Sequence, residues 1–264
     1  MIANYIFISN WKSIFKMNFQ VNCPLHYLQQ DSISCGVFVC YYAHQIVHNY
    51  DVNLAFNILK FRKYIYDTLC RSLSSVFDPS LNNYQSSKTF NCFDLNFNVE
   101  NMSECILKVN GMEITLYMLK SLDTSITLEE ELFIQSISGI FKKGCLYGTI
   151  IDAFLYRISV DVQGCECLTF DQSESFIKDK RKVYQYFPKI KDANLCFIPF
   201  NVNSHWLLII IDFKNLLIEY YNPLDVPIPN NLLSLLREWA TFLTQLLNPL
   251  YDWCFYSSTY KSNW

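Results

Sequence analysis

Apolar positions along the chain fall into runs whose spacing separates helices from strands. Between Gly36 and His48 they recur at Val39, Tyr42, Ala43, Ile46 and Val47, one face of a helix. A second helix is predicted through Phe56, Leu59, Tyr64, Ile65 and Leu69. From 71 to 100 Ser, Asn and Asp dominate around Pro79 and no period persists. That stretch reads as a linker. Beyond it, Ile114 to Leu122 and Leu128 to Ile140 read as short helices, and Gly148 to Val160 as a longer one with Ile150, Ile151, Phe154, Leu155 and Ile158 inward. Three strands are predicted at Leu195 to Phe200, His205 to Phe213 and Leu216 to Tyr221. The last two join through Lys214-Asn215 as a hairpin. Asn231 then caps a helix carrying Leu232, Leu235, Leu236, Trp239, Phe242, Leu243, Leu246 and Leu247, which Asn248-Pro249 ends. Helices and strands segregate along the chain, so the fold class is α+β rather than a βαβ repeat.

The 264 residues suffice for one large domain or two small ones. Hydrophobic residues make up 51% and charged residues 17%, which excludes disorder for most of the chain. Lys plus Arg number 21 against 24 Asp plus Glu, a net charge of −3. That balance gives no electrostatic reason to bind nucleic acid or an anionic membrane. The most apolar stretch, Trp206 to Ile211, is closed by Asp212 and Lys214, far short of the ~20 residues of a membrane-crossing helix. Met1 to Phe15 shows no secretory leader pattern. The 11 cysteines include no C-x-x-C pair, and Cys165-Glu166-Cys167 is too tight for a zinc finger. They read as reduced thiols of a cytoplasmic or nuclear protein, with no metal site.

Cys35 stands where the first helix begins, directly before Gly36. A helix N-terminus offers unpaired N–H groups that stabilise a thiolate, and Gly36 lets a carbonyl approach the backbone. Six residues upstream, the Gln29 amide has the chemistry to donate to an oxyanion. A Cys-Gly at a helix start, taken alone, fits a buried core thiol better than a nucleophile. His44 and His48 share a helix face as H-Q-I-V-H, but Gln45 replaces the base a zinc protease needs, so they read as solvent-facing or capping residues. His26 sits in a loop with no informative context. His205 opens an apolar strand. A two-residue turn makes paired positions sum to 429, which sets His205 opposite Leu224 and Asn222 diagonally beside it, about 7–8 Å away. Asn222 is then placed to hold one imidazole nitrogen while the other faces a nucleophile. A strand-end histidine facing solvent fits the same pattern.

Gln29-Gln30-Asp31-Ser32-Ile33-Ser34-Cys35-Gly36-Val37-Phe38-Val39-Cys40 resembles the nucleophile motif of the ubiquitin-like-protein proteases, the Ulp or sentrin-type cysteine peptidases. Ile198 through Leu208, with His205-Trp206 at its centre, resembles the same family's histidine motif. Asp212-Phe213-Lys214-Asn215 leading to Tyr220-Tyr221-Asn222-Pro223-Leu224 is similar to its hairpin and third catalytic position. The resemblance implies a papain-like, adenovirus-protease-like fold with a central, mostly antiparallel sheet flanked by helices. It implies Cys35 as nucleophile, His205 as general base, Asn222 as the orienting residue and Gln29 as an oxyanion donor. Trp206, Gly36 and Leu146 would bind the substrate. The implied reaction is attack after a Gly-Gly tail of a ubiquitin-like modifier such as SUMO or ubiquitin, through an acyl-enzyme, with no cofactor.

The sequence departs from that family in four ways. Asn222 stands where the family usually has Asp, and Ser34 where it usually has Asp before the nucleophile. Its Trp-Leu-Asn-Asp signature appears as Cys145-Leu146-Tyr147-Gly148. The order is also swapped: residues 1–70 resemble a nucleophile-bearing half, 71–104 a linker and 105–264 a histidine-bearing half. Asn10-Trp11 and Glu238-Trp239 both resemble the segment before the nucleophile. Three arrangements fit: a circularly permuted domain, a slice through tandem repeats, or an incomplete reading frame. The alternative function is a catalytically degenerate module that binds a ubiquitin-like protein, or an inactive fragment of tandem repeats.

Overall fold

The computed structural model describes residues 18–70, 102–178, 185–186, 188–224 and 226–247. In chain order these form β1 (Gln20–Asn22), α1 (Cys35–Val47), α2 (Ile58–Cys70), β2 (Cys105–Val109), β3 (Met112–Thr115), α3 (Leu116–Lys120) and α4 (Leu128–Ser138). There follow α5 (Gly148–Val160), β4 (Cys165–Cys167), α6 (Phe170–Lys178), β5 (Leu195–Val202), β6 (His205–Asp212), β7 (Leu217–Tyr221) and α7 (Asn230–Leu247). The five-stranded sheet runs β1-β7-β6-β5-β4, and β2 pairs with β3 alone.

The central pairs β5–β6 and β6–β7 are antiparallel, while β1 and β4 add to the edges in parallel. The sheet is therefore mixed. Its middle strand, β6, is buried from Trp206 through Ile211 because both faces are covered. One face meets α1 and α5 through Leu208 and Ile210, and the other meets α7 through Ile209 and Ile211.

The two segments that resemble family halves share one core. β1 lies along β7, with Gln20 opposite Leu217. Val37, Phe38 and Tyr41 of α1 are fully buried in the cluster that holds Ile150, Ile151 and Phe154 of α5. Phe19 N–H donates to Thr244 Oγ1 on α7 at 3.1 Å. Of the two segments resembling one another, Trp239 is buried edge-on to Phe176, while Asn10-Trp11 lies outside the described residues. The linker at 71–104 is described only from 102, and Asn248-Pro249 lies outside the described residues.

Local chemistry explains the element ends. The capping box of Thr127 and Glu130 starts α4, and Gly139 at φ 76° stops it. The segment predicted as one helix over Ile114 to Leu122 divides instead. Asn110 and Gly111, at φ 49° and 79°, turn β2 into β3, and only Leu116–Lys120 is helical. The three-residue strands β1 and β4 and the helix α6 add elements the periodicity did not signal.

Candidate active site

The β6–β7 register carries the first part of the site. Asp212 pairs with Leu217 and Leu208 with Tyr221, so paired positions sum to 429 as the hairpin geometry predicts. The ladder ends there, and Asn222 turns back towards His205. At the other end of β6, Asn203 and Ser204 take φ 52° and 66°, the tight turn that joins Val202 to His205. His205 is thus held between a two-residue turn and a strand whose remainder is buried.

His205 Nε2 and Asn222 Oδ1 lie 2.8 Å apart. The side-chain oxygen of Asn222 also accepts the Leu224 N–H at 3.0 Å, and its Nδ2 donates to Val226 carbonyl oxygen at 3.2 Å. These two backbone partners fix which end of the amide is oxygen. An oxygen only accepts, so Nε2 must carry the proton and the lone pair of the neutral ring sits on Nδ1. The same contacts give Asn a local reason at position 222, since a carboxylate would set oxygen against oxygen at Val226. The loop before the nucleophile braces this corner. His26 Nε2 lies 2.7 Å from Asn222 O, its Nδ1 lies 2.7 Å from Pro24 O, and Gln29 N–H donates to Pro223 O at 2.8 Å.

Cys35 is the first residue of α1 and is buried. The backbone N–H groups of Trp206, Gly36 and Cys35 itself act on its sulfur to favour the thiolate, which sets Cys35 beside the start of β6. Burial nonetheless pushes the thiol above its ordinary range, and those N–H groups pull it only partly back. The lowered thiol expected from the helix terminus is therefore not the resting state. Trp206 is buried, edge-on to Phe170 with ring centroids 5.0 Å apart, and a Cβ on Gly148 would come within 3.2 Å of its ring.

Three residues expected to meet a substrate are placed differently. Gln29 donates Nε2 to Asp31 O at 2.6 Å and to Asp31 Oδ1 at 3.0 Å. Both amide hydrogens are committed, so donation to an oxyanion would require the side chain to leave Asp31. A Cβ at Gly36 would sit 3.0 Å from Ile151 Cδ1 and 3.1 Å from Leu146 Cβ. Its smallness lets α1 pack on α5, a closer constraint than room for an incoming carbonyl. Leu146 is buried against that same glycine. His44 is buried between Phe61 and Tyr64 rather than facing solvent, while the His48 ring contacts the His44 carbonyl at 2.8 Å. Among the described residues no group of His, Cys, Asp and Glu could hold a metal ion. No helix among them is long and apolar enough to cross a membrane.

Sequence reasoning missed His26, Asp31 and Arg62, because nothing local marks them. Arg62 on α2 is 1% exposed and donates to Ser121 O, Gly144 O and Ser34 Oγ. It therefore bridges the segment before Cys35 and the loop before Leu146.

Comparison with known proteins gives one family. Residues 162–253 match the model of the Ulp1 protease family, C-terminal catalytic domain. The matched segment contains His205, Trp206 and Asn222, while Gln29, Cys35, Gly36 and Leu146 lie outside it. No curated protein and no solved structure matches the chain. The family carries a papain-like cysteine protease fold, which the mixed sheet between helix layers fits, and supports a ubiquitin-like-protein protease function. The segment that carries His205 and Asn222 is thus similar to the Ulp1 protease family, C-terminal catalytic domain, over residues 162–253.

Proposed function

We propose that the chain is a cysteine peptidase acting after the Gly-Gly tail of a ubiquitin-like modifier, with Cys35 as nucleophile and His205 as base. The observation that carries this reading is the His205–Asn222 contact at 2.8 Å, with the amide oriented by Leu224 and Val226. It leaves Nδ1 of His205 to take the Cys35 proton. The thiolate attacks the scissile carbonyl, and the resulting oxyanion meets the unpaired N–H groups at the start of α1. His205 returns its proton to the leaving amine, and water then hydrolyses the thioester by the reverse proton path. Trp206 lines the tail's approach, and Gly36 with Leu146 holds α1 at the depth where Cys35 meets β6. The packing of β1 on β7 and α1 on α5 supports a circularly permuted domain over a slice of separate repeats.

A second reading, binding a modifier without cleaving it, is favoured by one observation: burial holds the Cys35 thiol up while Asn222 brings no negative charge to steady a protonated His205. Hydrolysis of C-terminal fluorogenic amides of ubiquitin, SUMO and NEDD8 separates the two. The peptidase reading expects turnover of at least one, abolished in Cys35→Ala and in His205→Ala. Binding of a modifier with no turnover supports the second reading and overturns the first.

A further inference from the structure

Ser34 occupies the N-cap of α1, where serine normally accepts an N–H from the first turn, yet its hydroxyl makes no such bond. It is engaged elsewhere. Ser34 Oγ donates to Asp31 Oδ2 at 2.7 Å and accepts from Arg62 Nη2 at 3.3 Å. Asp31 also takes the N–H of Ile33 and of Ser34, each at 2.8 Å, and the Gln29 amide at 3.0 Å. Diverting the hydroxyl keeps it off the first amides of α1.

Arg62 gives this turn its anchor. It is buried, and among the described residues no carboxylate stands within ion-pair distance of it. Its partners are two carbonyls and the Ser34 hydroxyl, with Nε left without a partner. A buried guanidinium without a counter-charge is costly, and Asp31 supplies the charge one hydroxyl away. Burial lowers Arg62 to about 10, and the charge of Asp31 works against that fall.

We propose that Arg62, Ser34 and Asp31 form a positioning relay for Cys35, in which the carboxylate usually found directly before the nucleophile has moved three residues upstream and acts through the serine hydroxyl. The proposal rests on the reading of Cys35 as nucleophile. It explains why Ser34 is tolerated there: a carboxylate at 34 would reach Arg62 directly, whereas here Asp31 reaches it through Ser34. The relay keeps the N-cap hydroxyl away from the helix amides, so that they remain available to a thiolate or an oxyanion. Arg62 in turn ties this turn to Gly144, beside the loop that places Leu146 against Gly36.

The test uses the full chain, with Asp31→Ala, Ser34→Asp and the double variant Asp31→Ala/Ser34→Asp. The rate of Cys35 alkylation by iodoacetamide, read by mass spectrometry of its peptide, reports on the relay without any modifier. Amide exchange over residues 31–38 is measured alongside. The Asp31 charge by itself raises the Cys35 thiol, so a loss of charge alone would speed alkylation. Asp31→Ala is instead expected to slow it roughly tenfold or more by displacing the nucleophile turn, and to expose the Ile33 and Ser34 amides. The double variant should recover to within about threefold of the parent, a rescue that a merely local loss of stability would not give. Arg62→Lys should slow alkylation in both the parent and the double variant. Unchanged alkylation in Asp31→Ala, or no recovery in the double variant, overturns the proposal. A chain that turns over no modifier yet shows the loss and rescue would sink the peptidase reading and leave the relay standing.

Discussion

Asp152 offers the most quantitative check on the packing beneath the site. It lies on α5, is 9% exposed, and accepts the Phe170 N–H at 2.9 Å. Burial pushes its carboxyl from 3.8 up to about 7; the Phe170 N–H resists, and the negative charge of Asp171 adds to the rise. In the unfolded chain the group ionises near 3.8, so between there and about 7 the folded state holds a proton that the unfolded state has released. The contribution of Asp152 to stability therefore falls as pH rises through that window and levels off above it. The window spans ~3 pH units at ~1.4 kcal/mol each, or ~4 kcal/mol as an order of magnitude. Asp152→Asn keeps an acceptor for Phe170 and cannot ionise. Chemical denaturation of both proteins from about pH 4 to about pH 8 is the assay. The variant should match the parent at the acid end and exceed it by a few kcal/mol above pH 7. Parallel curves across the whole range would refute the reasoning.

Other substitutions bear on neighbouring parts of the structure. Asn222→Asp should lower the melting temperature, because a carboxylate oxygen replaces the Nδ2 donor facing Val226 O; a rise in thermal unfolding temperature would contradict that geometry. Gly144→Ala puts a Cβ 2.5 Å from Ile33 Cδ1 at φ +78°, and calorimetry should show a loss of roughly 1–3 kcal/mol or more. His44 is lowered to about 3, by burial first and then by the positive charge of His48. The unfolded chain takes up that proton near 6.5, so the contribution of His44 to stability is lost as pH falls from there towards 3. His44→Gln should flatten this acid-side slope in the same denaturation series. His26→Ala should slow modifier hydrolysis, through kcat rather than KM, by releasing the Asn222 carbonyl from its 2.7 Å contact; equal kcat values would remove His26 from the account.

What the sequence disclosed depended on how far each signal extends along it. Gly148–Val160 carries three helical turns of apolar spacing, and its ends match the structure to the residue. The β6–β7 register followed from the turn, because one pairing fixes all others on a regular ladder. Strands β1 and β4 have three residues each, too few to show a period. The β2–β3 hairpin carries the strong turn pair Asn110-Gly111, but the apolar spacing of Ile114, Tyr117 and Met118 extended the helix reading back into the end of β3. Candidate chemistry divides the same way. Cys35, His205 and Asn222 lie in contiguous motifs. Asp31 and Arg62 are ordinary charged residues until α2 folds under the nucleophile turn, and Gly36 gains its packing reason only once α5 lies against it.

The central claim is that Cys35 is a nucleophile activated by His205 and reached by a modifier's tail. The most direct measurement is covalent capture of the purified chain by ubiquitin, SUMO or NEDD8 bearing a C-terminal electrophile, with the adduct mapped by peptide mass. The account expects one modifier to form an adduct on Cys35, lost in Cys35→Ala and strongly slowed in His205→Ala. An adduct on another cysteine, or a folded chain that binds a modifier and forms none, would contradict it.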